Sequence, residues 1–121
     1  MGEVFLYNIK GAKAARIKML CSKLYIGTRD IEPELFGLKI SCLLGEEADG
    51  EAAENSLFTD EMLYISGVPA PLMSIFLDAL RKQKTPVARK AVQTDDNVRF
   101  TSYELYKELC AERDALANKE G

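Results

Sequence analysis

The chain has 121 residues, 47% of them hydrophobic and 29% charged, with a net charge of −3 at neutral pH. That length suits one domain with one core, and no apolar run approaches the roughly 20 residues needed to span a bilayer. The sequence contains no histidine, which removes Ser-His-Asp and Cys-His catalysis, the commonest neutral general base and the usual nitrogen ligand for zinc, copper or iron.

No metal and no cofactor is therefore expected, and the chain reads more as a binding protein than as an enzyme. "MGEVFLYNIKG" has no basic segment followed by an apolar one, and Leu6 stands where a myristoylation signal needs Ser or Thr, so a cytoplasmic location is expected. Cys21, Cys42 and Cys110 are widely spaced within apolar stretches and form no CxxC, the pattern of reduced core thiols.

In chain order, Glu3 to Ile9 is a short run rich in aliphatic and aromatic residues with no polar alternation, as in a strand buried on both faces. Ala14, Ile17, Leu20, Cys21 and Leu24 then fall at helical spacing, with Gly27 as the expected stop. "TRDIEPEL" suits an edge strand, and "GLKISCLLG" reads equally as helix or strand. From Glu46 to Glu61 the chain carries Glu46, Glu47, Asp49, Glu51, Glu54, Asp60 and Glu61 and no basic residue. This composition predicts a solvated acidic linker inside the domain.

The order then recurs. "MLYISGV" is a second apolar strand, Pro71 to Gln83 a helix that is apolar on most of its faces, and "TPVARKAVQT" a half-exposed strand. Thr101 and Glu104 have the spacing of a capping box, opening a last helix whose apolar face is Leu105, Tyr106, Leu109 and Cys110 and which is expected to fray near Asn118 to Gly121. "FLYNIKG" and "MLYISGV" both place Leu-Tyr in a strand before a glycine turn and a helix. The expected fold is a small α/β sheet of four strands, made of two strand-helix-strand halves plus a C-terminal helix, with the two apolar strands central. A ferredoxin-like α+β sheet is the alternative.

Parallel strands would gather the turns after them at one edge, where α/β sheets bind ligands. Asn8, Ser66, Gly67, Thr94, Asp95 and Asn97 are the candidate residues there, for a small anionic ligand held at the helix following "SGVPAP". Against this, prolines remove N–H donors from that turn, and no GxGxxG or Walker spacing is present. Adjacent Asp95 and Asp96 read as turn residues, short of the ligand count calcium needs.

Arg81, Lys82, Lys84, Arg89 and Lys90 form a basic cluster. Without stacking aromatics and with a negative net charge, it does not read as a nucleic-acid surface. The broad apolar face of the Pro71–Gln83 helix, through Met73, Ile75 and Phe76, is the expected interface with a partner protein or a second copy. The leading reading is a non-catalytic binding or regulatory domain acting through a protein partner, self-association or a small ligand. The alternative is a small enzyme or redox protein using Cys21 or Cys42.

"MLYISGV", "FLDALRKQKTPVARKAVQT" and "TSYELYKEL" together resemble a family of small uncharacterised bacterial proteins, a domain of unknown function found mainly in anaerobic Gram-positive bacteria. The resemblance is centred on the second half of the chain. Members carry Thr-Pro-Thr-Asn before an aromatic after the last strand; Thr94 and Asn97 match, with Asp95 and Asp96 between them. The resemblance implies no activity, cofactor or partner.

Overall fold

The structure is a computed structural model that describes residues 2–47, 50–54 and 56–120, the last eight of these through their backbone alone. The chain forms two compact units, each assembled from two separate segments: Met1–Ile31 with Thr59–Gln93, and Glu32–Phe58 with Thr94–Gly121.

The first unit holds the sheet. β1 (Glu3–Tyr7), α1 (Gly11–Lys23) and β2 (Gly27–Asp30) are followed by β3 (Met62–Ser66), α3 (Ala70–Lys82) and β4 (Arg89–Val92). The strand order is β2-β1-β3-β4. β1/β2 and β3/β4 are parallel pairs, whereas β1 and β3 run antiparallel with Phe5 opposite Tyr64. The sheet is thus mixed, with the apolar strands central and the two polar strands at the edges. In the ferredoxin-like alternative each helix connects strands that are not neighbours, so the parallel adjacent pairs set this sheet apart from it.

Side chains alternate across the sheet. Val4, Leu6, Leu63 and Ile65 pack with Ile17 and Cys21 of α1 and with Phe76 and Leu80 of α3 in one core. Phe5, Tyr7, Met62 and Tyr64 point to the opposite face and are also fully buried. Burying such side chains contributes about 1.5–3 kcal/mol each, which is why the apolar runs become the central strands.

Both helices end in the same way. Leu24 closes α1, Tyr25 takes the left-handed conformation (φ 60°), and the N–H groups of Tyr25 and Ile26 donate to the carbonyls of Ser22 and Cys21. In α3, Lys84 (φ 53°) and Thr85 do the same to Arg81 and Leu80. These are Schellman caps. The stop therefore lies at Tyr25, and Gly27, the expected stop, instead begins β2. Tertiary context supplies the left-handed turn where sequence reasoning looks for glycine.

This agreement extends through both halves. At one constant offset in residue number, Glu3 corresponds to Met62, left-handed Asn8 to left-handed Gly67, Gly11 to Ala70, Ile17 to Phe76 and Tyr25 to Lys84. After Thr85 the second repeat inserts Pro86–Ala88, and correspondence resumes with Gly27 and Arg89, which open β2 and β4. Even the closing bonds match, Ile31 N–H to Leu6 O and Gln93 N–H to Ile65 O. A half-turn about an axis between Phe5 and Tyr64 relates the two βαβ repeats.

The second unit contains the short helix α2 (Ile40–Leu43) and the long α4 (Ser102–Glu120). The ambiguous 38–45 stretch is thus helical, although Lys39 just before it forms an antiparallel bridge with Thr101. The Thr101–Glu104 capping box is formed in full: Thr101 N–H donates to the Glu104 carboxylate (2.9 Å) and Glu104 N–H to the Thr101 hydroxyl (3.1 Å). The backbone of α4 is helical to Glu120, past the expected fraying point at Asn118, while Gly121 lies outside the described residues.

Part of the acidic stretch belongs to this packing. Phe58 stacks between Phe36 and Tyr106, at 4.5 Å and 4.3 Å between ring centroids. Ala53 N–H donates to Gly37 O, and Ser56 is buried. Residues 50–54 are exposed, and Asp49 lies outside the described residues.

Candidate functional site

The antiparallel pairing of β1 and β3 decides where the expected strand-end residues go. Asn8, after β1, lies at the edge where β3 begins, and its Nδ2 donates to Asp60 O at 3.0 Å. The same edge carries the Arg89–Asp60 ion pair (3.2 Å) and the Lys13–Glu61 pair. Ser66 ends β3 at the opposite edge, and Gly67 follows it. Ser66 is buried and its hydroxyl donates to Gln93 Oε1, so its side chain braces β3 against the end of β4.

Thr94, Asp95 and Asn97 belong to the second unit. Thr94 N–H donates to Asn97 Oδ1 (2.9 Å), and Asn97 N–H donates to the Thr94 hydroxyl (3.0 Å). This reciprocal pair closes the loop locally, the structural use that Thr and Asn have at turns. The structure brings Thr94 and Asn97 together and separates Asn8 from Ser66. The expected gathering at one sheet edge required β1 and β3 to be parallel. Among the described residues no group of three or more His, Cys, Asp or Glu side chains is placed to hold a metal.

Of the thiols, Cys21 is fully buried on the core-facing side of α1, and burial pushes its pKa up to about 11 from an ordinary value near 9. Desolvation favours the neutral thiol, and the thiolate is the nucleophile. The folded state thus holds a proton that the unfolded chain releases near pH 9. The stabilisation from this site is whole below pH 9 and is lost as pH rises toward 11. At pH 8 an aromatic disulfide reagent is expected to modify Cys21 only as fast as the protein unfolds. Rapid modification in the folded state would contradict this burial.

Two features distinguish the second repeat from the first. Along α3, Leu72, Met73 and Leu77 are half-buried, packed at the margin of the core, and Ile75 is 52% exposed. Their counterparts on α1 are Lys13, Ala14, Lys18 and Arg16. Phe76, grouped with Met73 and Ile75 in the expected interface, is fully buried in the core of its own unit. Ile75 is left as the exposed apolar side chain of that group.

The second feature is a depression of about 260 Å³ between the end of α3 and β4, with Leu77, Pro86 and Val87 among its walls and Arg81 and Lys90 at its sides. Two members of the basic cluster thus meet at one place. A larger hollow of about 340 Å³ beside α1 is walled by Arg16, Lys23 and Gln83 with Met19 and Leu20. Sequence reading singled out Arg81 and Lys90 by charge but missed the apolar walls, because Pro86 and Val87 read as part of a continuous strand.

Among the described residues no helix is long and apolar enough to cross a membrane. Residues 61–116 match a family described as a domain of unknown function, DUF3783. The match begins at the start of the second repeat and continues into α4, in agreement with the resemblance of the second half of the chain to an uncharacterised family. No curated protein and no solved structure matches the chain.

Proposed function

We propose that the chain is a non-catalytic cytoplasmic binding domain that acts by self-association through the outer face of α3. The observation that supports this reading is the contrast between the two repeats. α1 has the same length, the same caps and the same relation to the sheet, yet carries Lys13, Arg16 and Lys18 where α3 carries Leu72, Ile75 and Leu77. The fold therefore accepts charge at these positions. Apolar side chains kept at the margin of a helix beyond the needs of its core are the usual mark of a contact surface. A self-complementary apolar patch suits an isologous dimer, and a catalytic reading would have to do without Cys21 as nucleophile.

The unaltered protein should show a concentration-dependent mass that approaches a dimer in analytical ultracentrifugation. Ile75→Lys should give a folded monomer. A monomer mass at every concentration, or an Ile75→Lys protein that still dimerises, would reject the proposal.

A further inference from the structure

We infer that the depression between α3 and β4 is a binding site for a small aliphatic carboxylate, a molecule with an apolar body and one anionic end. The two repeats provide an internal comparison. In the first repeat, Lys18 of α1 reaches Asp30 of β2 and the ion pair spans the space between helix and edge strand. In the second repeat, the residues at those positions are Leu77 and Val92, and Val92 is 43% exposed. The pair that spans the first site is replaced by hydrocarbon, and Leu77 lines the depression.

The Pro86–Ala88 insertion falls at the same place. It adds Pro86 and Val87 to the wall, and Val87 is 2% exposed. Charge changes in the complementary sense. Arg81 and Lys90 stand where the first repeat has Ser22 and Thr28, and among the described residues no acidic side chain lines the depression. Lys90 is positioned by donating to Val87 O at 2.9 Å, which uses one of its three hydrogens. Arg81 pairs with exposed Asp78 of its own helix, a surface contact that a carboxylate can replace at little cost. Hydrocarbon walls with two cations at the side match the two ends of an aliphatic carboxylate, and the hydrogen bonds to its oxygens would be charge-assisted.

Leu77 belongs to both surfaces, but the inference can be tested apart from self-association, because Ile75, the residue whose change breaks the dimer, is not among the residues that line the depression. Hexanoate, hexanol and hexylammonium, each titrated to about 20 mM against the full chain with amide chemical shifts as readout, separate the two ends of the ligand. Hexanoate is expected to perturb residues 77–90 and to bind about tenfold more tightly than hexanol, with hexylammonium weaker still. Arg81→Gln with Lys90→Gln should abolish that preference, and Leu77→Gln should weaken both hexanoate and hexanol. Thermal melting shows whether the variants remain folded. Repeating the titration in Ile75→Lys keeps the result separate from the oligomeric state. The inference is overturned by absence of binding, by equal affinity for hexanol and hexanoate, by an unchanged preference in the double variant, or by shifts that centre on Arg16 and Lys23.

Discussion

Phe76→Ala should destabilise the protein by about 3–5 kcal/mol, the cost of removing a large aromatic side chain from a close-packed core. Phe76 is fully buried among Leu63, Ile65, Leu80 and the neighbouring residues that join the sheet to both helices. Ile75, one position earlier, is half exposed, and at a protein concentration low enough for both proteins to be monomeric Ile75→Lys should change stability by no more than about 0.5 kcal/mol, the ordinary range for surface substitutions. Urea unfolding followed by far-UV circular dichroism, which needs no tryptophan, measures both. A Phe76→Ala cost below about 1 kcal/mol would mean that α3 is not seated on the sheet by this side.

Gly37→Ala should cost about 3 kcal/mol, near the upper end for overpacking. A Cβ at Gly37 would lie 2.3 Å from Ala53 O and 2.6 Å from Ala53 N. Both are backbone atoms, and moving them away sacrifices the Ala53 N–H to Gly37 O bond of 3.0 Å. Gly50→Ala is the matched control within the same stretch, since nothing among the described residues lies within 4 Å of its Cβ position. It should be neutral or slightly stabilising through the unfolded chain. Equal effects at the two positions would show that the acidic stretch does not dock where Ala53 is placed.

The features legible in the sequence are those whose cause is local. Periodicity placed α1, the Thr101–Glu104 spacing gave the cap of α4, and apolar runs marked the central strands. The features that escaped depend on distant partners. The acidic composition of Glu46 to Glu61 conceals Phe58, whose place is set by Phe36 and Tyr106. The direction of β3 relative to β1 depends on the path between the repeats, and it is that direction which separates Asn8 from Ser66. Matching the halves by their shared Leu-Tyr also misaligns them. Leu6 corresponds to Ile65, whereas Leu63 is its partner across the strands. The exposed apolar side chain of Ile75 is legible in the sequence, whereas the depression beside Leu77 becomes visible only once α1 and α3 are superposed residue by residue.

The half-turn axis between Phe5 and Tyr64 has a consequence for folding. A repeat that has formed before its companion exposes the whole length of β1 or β3 as an unpaired apolar edge. Because the companion edge is the same element turned through half a circle, the same repeat on another molecule offers nearly the same template. Nascent or partly unfolded chains thus have a route to domain-swapped pairing that needs no new contact, only an exchange of which molecule supplies each half. In the closed chain the covalent tether opposes that exchange by keeping the correct half at high effective concentration. The connection between the repeats therefore serves as kinetic protection as well as a link, and shortening it should favour swapped dimers over the closed sheet.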